Sequence, residues 1–140
     1  MRLEGFEGVA EVGGREHVVK VIGGGAELEE GKGGKKLLRI KTTAEVDGVK
    51  SDYEMTFRRR GADNAAVGFA VARADAPGGR EADAERFAAV IKALTGRKPR
   101  VYRRSDGRID IMCGREHLDG FARYAELADA IRRWLEETGR

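Results

Sequence analysis

Residues 35 to 60, KKLLRIKTTAEVDGVKSDYEMTFRRR, alternate apolar and polar side chains on both sides of Asp47-Gly48, a pair favoured in two-residue type I′ hairpin turns. With Val46 opposite Val49, Ala44 faces Ser51, Thr42 faces Tyr53, Ile40 faces Met55 and Leu38 faces Phe57, so one side of the ribbon is apolar. The other side opposes Glu45 to Lys50 and Lys41 to Glu54, which a one-residue slip would undo. The same logic predicts a hairpin over residues 100 to 113, RVYRRSDGRIDIMC. It turns at Asp106-Gly107, with Tyr102 opposite Ile111 on the core face and Arg103 opposite Asp110 on the other. A third hairpin, in FEGVAEVGGREHVVKVI, turns at Gly13-Gly14 and sets Glu11 against Glu16. GGGAELEEGKGGKK has no period and predicts a flexible loop with one short strand at most.

Helical spacing predicts three helices. ADNAAVGFAVARADA starts at Asp63 or Asn64 as a cap and stops at Pro77-Gly78-Gly79. EADAERFAAVIKALTG lines up Ala84, Phe87, Ala88, Ile91 and Leu94 and ends at Gly96. From about Glu116 to Thr138, Leu118, Phe121, Ala125, Ala128, Ile131, Trp134 and Leu135 form the stripe of the longest helix. The order predicts an α+β fold, a mainly antiparallel sheet built from β-hairpins with three helices packed on one face.

At 140 residues the chain suits one domain, residues 1–140. Charged residues make up 36% yet the net charge is only +3, which excludes a disordered polyelectrolyte. One Asn and no Gln among many Glu, Arg and Lys fit a protein made for high temperature. A single Cys, Cys113, and two His are too few for a closed zinc site, and no internal disulfide can form. No apolar run reaches bilayer length, and Glu4 and Glu7 stand where a secretory signal needs a basic and then an apolar stretch. A cytoplasmic protein without cofactor and without membrane contact is expected.

The charge is unevenly placed. Residues 97–108 hold six basic side chains (Arg97, Lys98, Arg100, Arg103, Arg104, Arg108) against one acid, Asp106, whereas residues 1–30 hold three basic against seven acidic. Arg58, Arg59 and Arg60 close the main hairpin. These nine residues predict a one-sided positive field, the footprint of a phosphate-contacting surface for DNA or RNA. With Tyr102, Tyr53 and Phe57 all turned inward by the assigned registers, phosphate contact is better supported than base readout.

Both histidines belong to a repeated Gly-Arg-Glu-His, at residues 14–17 and 114–117. The first copy falls at a hairpin turn and the second where a strand enters a helix, so the pair reads as two turns rather than two halves of one site. The catalytic alternative makes His117 a general base with Cys113 or Asp119 nearby, or uses Glu116 or Asp75. The glycine-rich loop is not a phosphate loop, because Gly33 stands where the magnesium-binding Ser or Thr is required.

From about Gly5 onward, and most specifically over ARADAPGGREADAERFAAVIKALTGRKPRVYRRSDGRIDIMCGREHLDGFARYAELADAIRRWLEETGR, the sequence resembles the Pyrobaculum paralogous repeat family, type two b. The resemblance implies a hyperthermophilic crenarchaeal origin and a repetitive or mobile element without settled activity, whose commonly longer members make these 140 residues either one domain of a longer protein or a trimmed copy. A looser similarity to the LAGLIDADG homing endonucleases rests on the helix-hairpin-helix order after residue 80 and on AVARADAPG at residues 70–78. There Asp75, Ala76 and Gly78 fit the closing letters of the motif while Pro77 takes the place of the metal-binding acid. That similarity implies retained binding without cleavage, since magnesium would lose its carboxylate. The expectation is a non-enzymatic nucleic-acid-binding module. Its alternatives are a degenerate LAGLIDADG-like endonuclease and a protein-interaction or dimerisation domain, the last because Trp134 and Leu135 need cover from the sheet or from a second copy.

Overall fold

The computed structural model describes residues 1–139. The chain runs through β1 (Glu7–Val12), β2 (Arg15–Glu30), a 3-10 turn (Lys32–Gly34), β3 (Lys36–Val46), β4 (Val49–Arg60), β5 (Ala65–Val71), α1 (Gly79–Thr95), β6 (Arg100–Arg103), β7 (Ile109–Cys113), α2 (Arg115–Phe121) and α3 (Ala125–Glu137). The strands form one sheet in the order β1-β2-β3-β4-β5-β7-β6, antiparallel at every pairing. The fold is α+β. Phe87, Ile91 and Leu94 of α1 and Leu127, Ile131 and Trp134 of α3 bury the sheet face that carries Val19, Leu38, Ile40, Met55 and Phe57. No helix among the described residues is long and apolar enough to cross a membrane.

The hairpin at Asp47-Gly48 has the register read from its alternation, from Val46 opposite Val49 to Leu38 opposite Phe57. Its charges sit opposite one another as expected, but the ion pairs made run diagonally, Arg39 to Glu54 at 3.8 Å and Lys41 to Asp52 at 4.0 Å. The turn at Gly13-Gly14 likewise opposes Glu11 to Glu16. Helix α1 ends where Gly96 takes φ +83° and donates its N–H to the Lys92 carbonyl.

Four expectations are corrected. Gly23 to Glu30 is no loop, because β2 continues through a bulge between Val21 and Gly23 and pairs with β3 as far as Lys36. Gly24, Ala26 and Leu28 stand opposite the inward Thr42, Ile40 and Leu38 there, although Gly24 itself is exposed, and the glycines hide the alternation. Residues 65–71 are strand β5 rather than a helix: Ala66, Gly68 and Ala70 are buried between outward Val67, Phe69 and Val71. Asp63 and Asn64 belong to the β4–β5 turn, in which Asn64 takes a left-handed φ of +57° and donates its N–H to Gly61 O.

The β6–β7 hairpin is shifted by one residue. Gly107 takes φ +91°, Arg104 N–H bonds Arg108 O and Gly107 N–H bonds Arg104 O, so three residues form the loop and Tyr102 pairs with Asp110, not Ile111. Tyr102 is therefore turned outward, 42% exposed. Finally, the long terminal helix is two helices, broken at residues 122–124. The amino-terminal segment enters the break: Ala125 N–H bonds Met1 O, and Glu126 accepts the N–H groups of Leu3 and Glu4 at 2.7 and 2.8 Å. Tyr124, buried, donates to Leu94 O at 2.7 Å, while Ala125, expected in the core, is exposed.

Candidate nucleic-acid interface

Three helices on one face leave the other face of β4, β5, β7 and β6 uncovered, and the registers fix what stands on it. Arg60 lies beside Ala65, Arg58 beside Val67, Thr56 beside Phe69, Phe69 beside Met112 and Met112 beside Arg100. Val71, Asp110 and Tyr102 form the next row. Half-buried Val67, Phe69 and Met112 thus make an apolar strip with arginines on both sides. The flanks are three strand spacings apart, about 14 Å.

The nine basic residues singled out from the sequence divide by what they touch. Arg103 lies on the helix side and forks onto Glu81, both bonds at 2.8 Å. Arg104 and Arg108 shield Asp110, whose carboxylate is 2% exposed, at 2.6 and 3.4 Å. Arg104 also lies 5.6 Å over the Tyr102 ring. Arg59 turns inward onto Trp134. Arg58, Arg60, Arg97, Lys98 and Arg100 are exposed and form no ion pair among the described residues. Sequence reasoning found the basic residues but missed the strip between them and the outward Tyr102. The one-residue loop shift and the misassigned β5 concealed both.

The catalytic candidates are not brought together into one site. His117 is 3% exposed and fully engaged: Nδ1 accepts Gly114 N–H at 3.0 Å and Nε2 donates to Lys98 O at 2.9 Å. The ring closes the start of α2 and ties it to the strand entering β6, with exposed Glu116 at 3.4 Å. Cys113 is buried, and burial pushes its thiol up to about 12, so it stays protonated. Asp75 lies in the exposed turn between β5 and α1.

The other copy of the tetrapeptide has a different environment. His17 lies between two carboxylates, Nδ1 2.6 Å from Asp47 and Nε2 2.8 Å from Glu85, the second contact poorly aligned for a hydrogen bond. Arg15 forks onto the same Glu85 at 2.9 and 3.0 Å. The Val18 N–H, with His17 and Arg15, holds Asp47 below the ordinary carboxylate range, and Arg15 does the same for Glu85. Carboxyls depressed in the native state stabilise it above their unfolded range, near pH 4, and that stabilisation is lost as pH falls through and below this range. Glu85→Gln is therefore expected to lower the urea midpoint at pH 7, and the gap to the parent should narrow as the pH is taken down through the acid range where Glu85 becomes protonated in the native state. A gap that stays constant with pH would assign Glu85 a packing role only. Among the described residues no cluster of His, Cys, Asp or Glu could hold a metal ion. Comparison with family models, curated proteins and solved structures gives no match to this chain.

Proposed function

We propose that this chain is a non-enzymatic nucleic-acid-binding module that lays a single strand across the uncovered face of β4, β5, β7 and β6. The observation that carries the reading is the unequal pairing of its cations. Arg103, Arg104 and Arg108 are neutralised by Glu81 and Asp110, whereas Arg58, Arg60 and Arg100 flank one apolar strip without ion pairs among the described residues, as do Arg97 and Lys98 on the exposed segment leading into β6. Phosphates are attracted by such unpaired cations, and each contact releases counterions. Phe69 and exposed Tyr102 stand on the same face and offer ring surfaces to unpaired bases, which a duplex keeps stacked inside.

Anisotropy of a 3′-labelled single strand tests this. With four or five phosphate contacts, log K against log salt should fall with a slope of about −3. The combined Arg58→Gln, Arg60→Gln and Arg100→Gln variant should flatten the slope by about 2. Tyr102→Ala should weaken binding about tenfold and leave the slope unchanged, because stacking displaces no counterions. Absence of binding to single strands and duplexes of DNA and RNA at about 20 mM salt would overturn the proposal.

A further inference from the structure

At one end of the sheet, the β4–β5 turn and the corner from β7 into α2 enclose a cavity of about 430 Å³ walled by Arg59, Asn64, Val67, Arg100, Gly114 and Arg115. Among the described residues that line it, three arginines face one carboxylate, the exposed Asp63, and the Glu116 carboxylate lies beside its Gly114 wall. Arg115 holds Asp119 at 2.9 Å, both side chains being at least half exposed, and keeps N–H donors to spare.

Arg59 is the unusual member. Its guanidinium stacks 5.0 Å from the centre of the buried Trp134 ring, Nε donates to Thr138 Oγ1 at 3.1 Å and Nη1 to Asn64 O at 3.0 Å. Nη2 is buried and has no hydrogen-bond partner among the described residues. Nor does a carboxylate among the described residues pair with Arg59. Burial, with Arg115 nearby, holds its pKa below the ordinary arginine value, although it stays charged. A partly desolvated cation with no counter-charge is unfavourable alone, and an anion in the adjoining cavity would offset its charge.

We infer that this cavity is a phosphate subsite that takes the terminal phosphomonoester of a nucleic-acid strand. The inference rests on the nucleic-acid reading, and Arg100 belongs to both surfaces. A phosphomonoester carries close to two negative charges near neutral pH and three acceptor oxygens, which suits three guanidiniums better than an internal diester does. The cavity lies at the sheet end and shares Val67 with the strip and Arg100 with its flank. Trp134, the chain's one tryptophan, lies under Arg59 and reports on the site.

Two measurements test the subsite. Strands carrying a 5′- or 3′-phosphate are compared with hydroxyl-ended strands of the same sequence, and inorganic phosphate is titrated against matched chloride while Trp134 emission is followed. One phosphorylated end should bind about tenfold tighter, and millimolar phosphate should shift the emission. Arg59→Met, which keeps an apolar side chain over the indole, and the exposed Arg115→Gln should each reduce the preference to within about twofold. Arg115→Gln should leave hydroxyl-ended binding as it was. If phosphate shifts the emission in the parent but not in Arg115→Gln, while all strand ends bind alike, the strand-end assignment is overturned and the cavity binds free phosphate only. No emission shift together with equal binding of all ends overturns the subsite, and salt-dependent binding of hydroxyl-ended strands would still uphold the interface. An emission shift without any strand binding would do the reverse.

Discussion

Trp134→Ala should lower the free energy of unfolding by about 4 kcal/mol, a large part of what holds a domain of this size together. The indole is fully buried, its Nε1 donates to Lys36 O at 2.9 Å, and it carries Arg59 on one face. Alanine would leave a cavity between α3 and β3, strip the Lys36 carbonyl of its donor, and remove the ring beneath a buried cation. Trp134→Phe keeps most of the volume and should cost roughly half as much, mainly through the lost hydrogen bond. Urea unfolding by circular dichroism gives both values, with an unchanged m-value identifying the effect as native-state packing. Since the cover comes from the chain's own sheet, the loss should appear as stability and not as dissociation. A Trp134→Ala protein with the parent's midpoint would show that the ring is not packed as described.

Gly24→Ala should cost about 3 kcal/mol, while Gly23→Ala and Gly25→Ala change stability by less than about 0.5 kcal/mol. The three glycines are consecutive, so composition predicts no such contrast, and exposure, greatest at Gly24, predicts the opposite one. A Cβ on Gly24 would run into the Lys41 carbonyl oxygen and lie 2.6 Å from Leu3 Cδ2, whereas one on Gly23 or Gly25 meets nothing within 4 Å. Backbone cannot yield as a flexible side-chain tip can, and Leu3 is itself fully buried. None of the three has a positive φ, so backbone strain does not confound the comparison. Thermal unfolding of the three variants side by side decides it, and equal behaviour would remove the close approach of Leu3 to β2.

What could be read from the sequence follows the range of the interactions involved. The Asp47-Gly48 hairpin and α1 were legible because turn chemistry, alternation and the closing Gly96 act over a few residues. Strand β5 was not, because Ala66, Gly68 and Ala70 suit a helix by composition. Only Phe57 and Met55, whose atoms would lie 2.7 and 2.8 Å from a Cβ on Gly68, explain the small residues there. The break after α2 was invisible for a similar reason, since its partners, Met1 to Glu4, lie at the other end of the sequence. For the interface, local charge identified the basic residues, and pairing decided which remain unsatisfied. The Arg103–Glu81 and Arg59–Trp134 contacts join segments that no local pattern relates. The repeated Gly-Arg-Glu-His makes the same point: identical residues give an imidazole between two carboxylates in one copy and a helix-closing hydrogen-bond pair in the other.

The grip of Glu126 on the Leu3 and Glu4 amides also bears on the order in which the molecule assembles. Its hydrogen bonds join residues 123 and 122 positions apart, whereas the hairpins from β1 to β5 close over short turns and need no distant partner. Closing a loop of that length costs about 3 kcal/mol more chain entropy than closing one of four residues. The sheet can therefore zip up hairpin by hairpin, but the grip becomes favourable only after α3 has docked and brought Glu126 to a preformed edge. It is therefore expected to close late, and hydrogen exchange at the Leu3 and Glu4 amides faster than in β3 and β4 would show it.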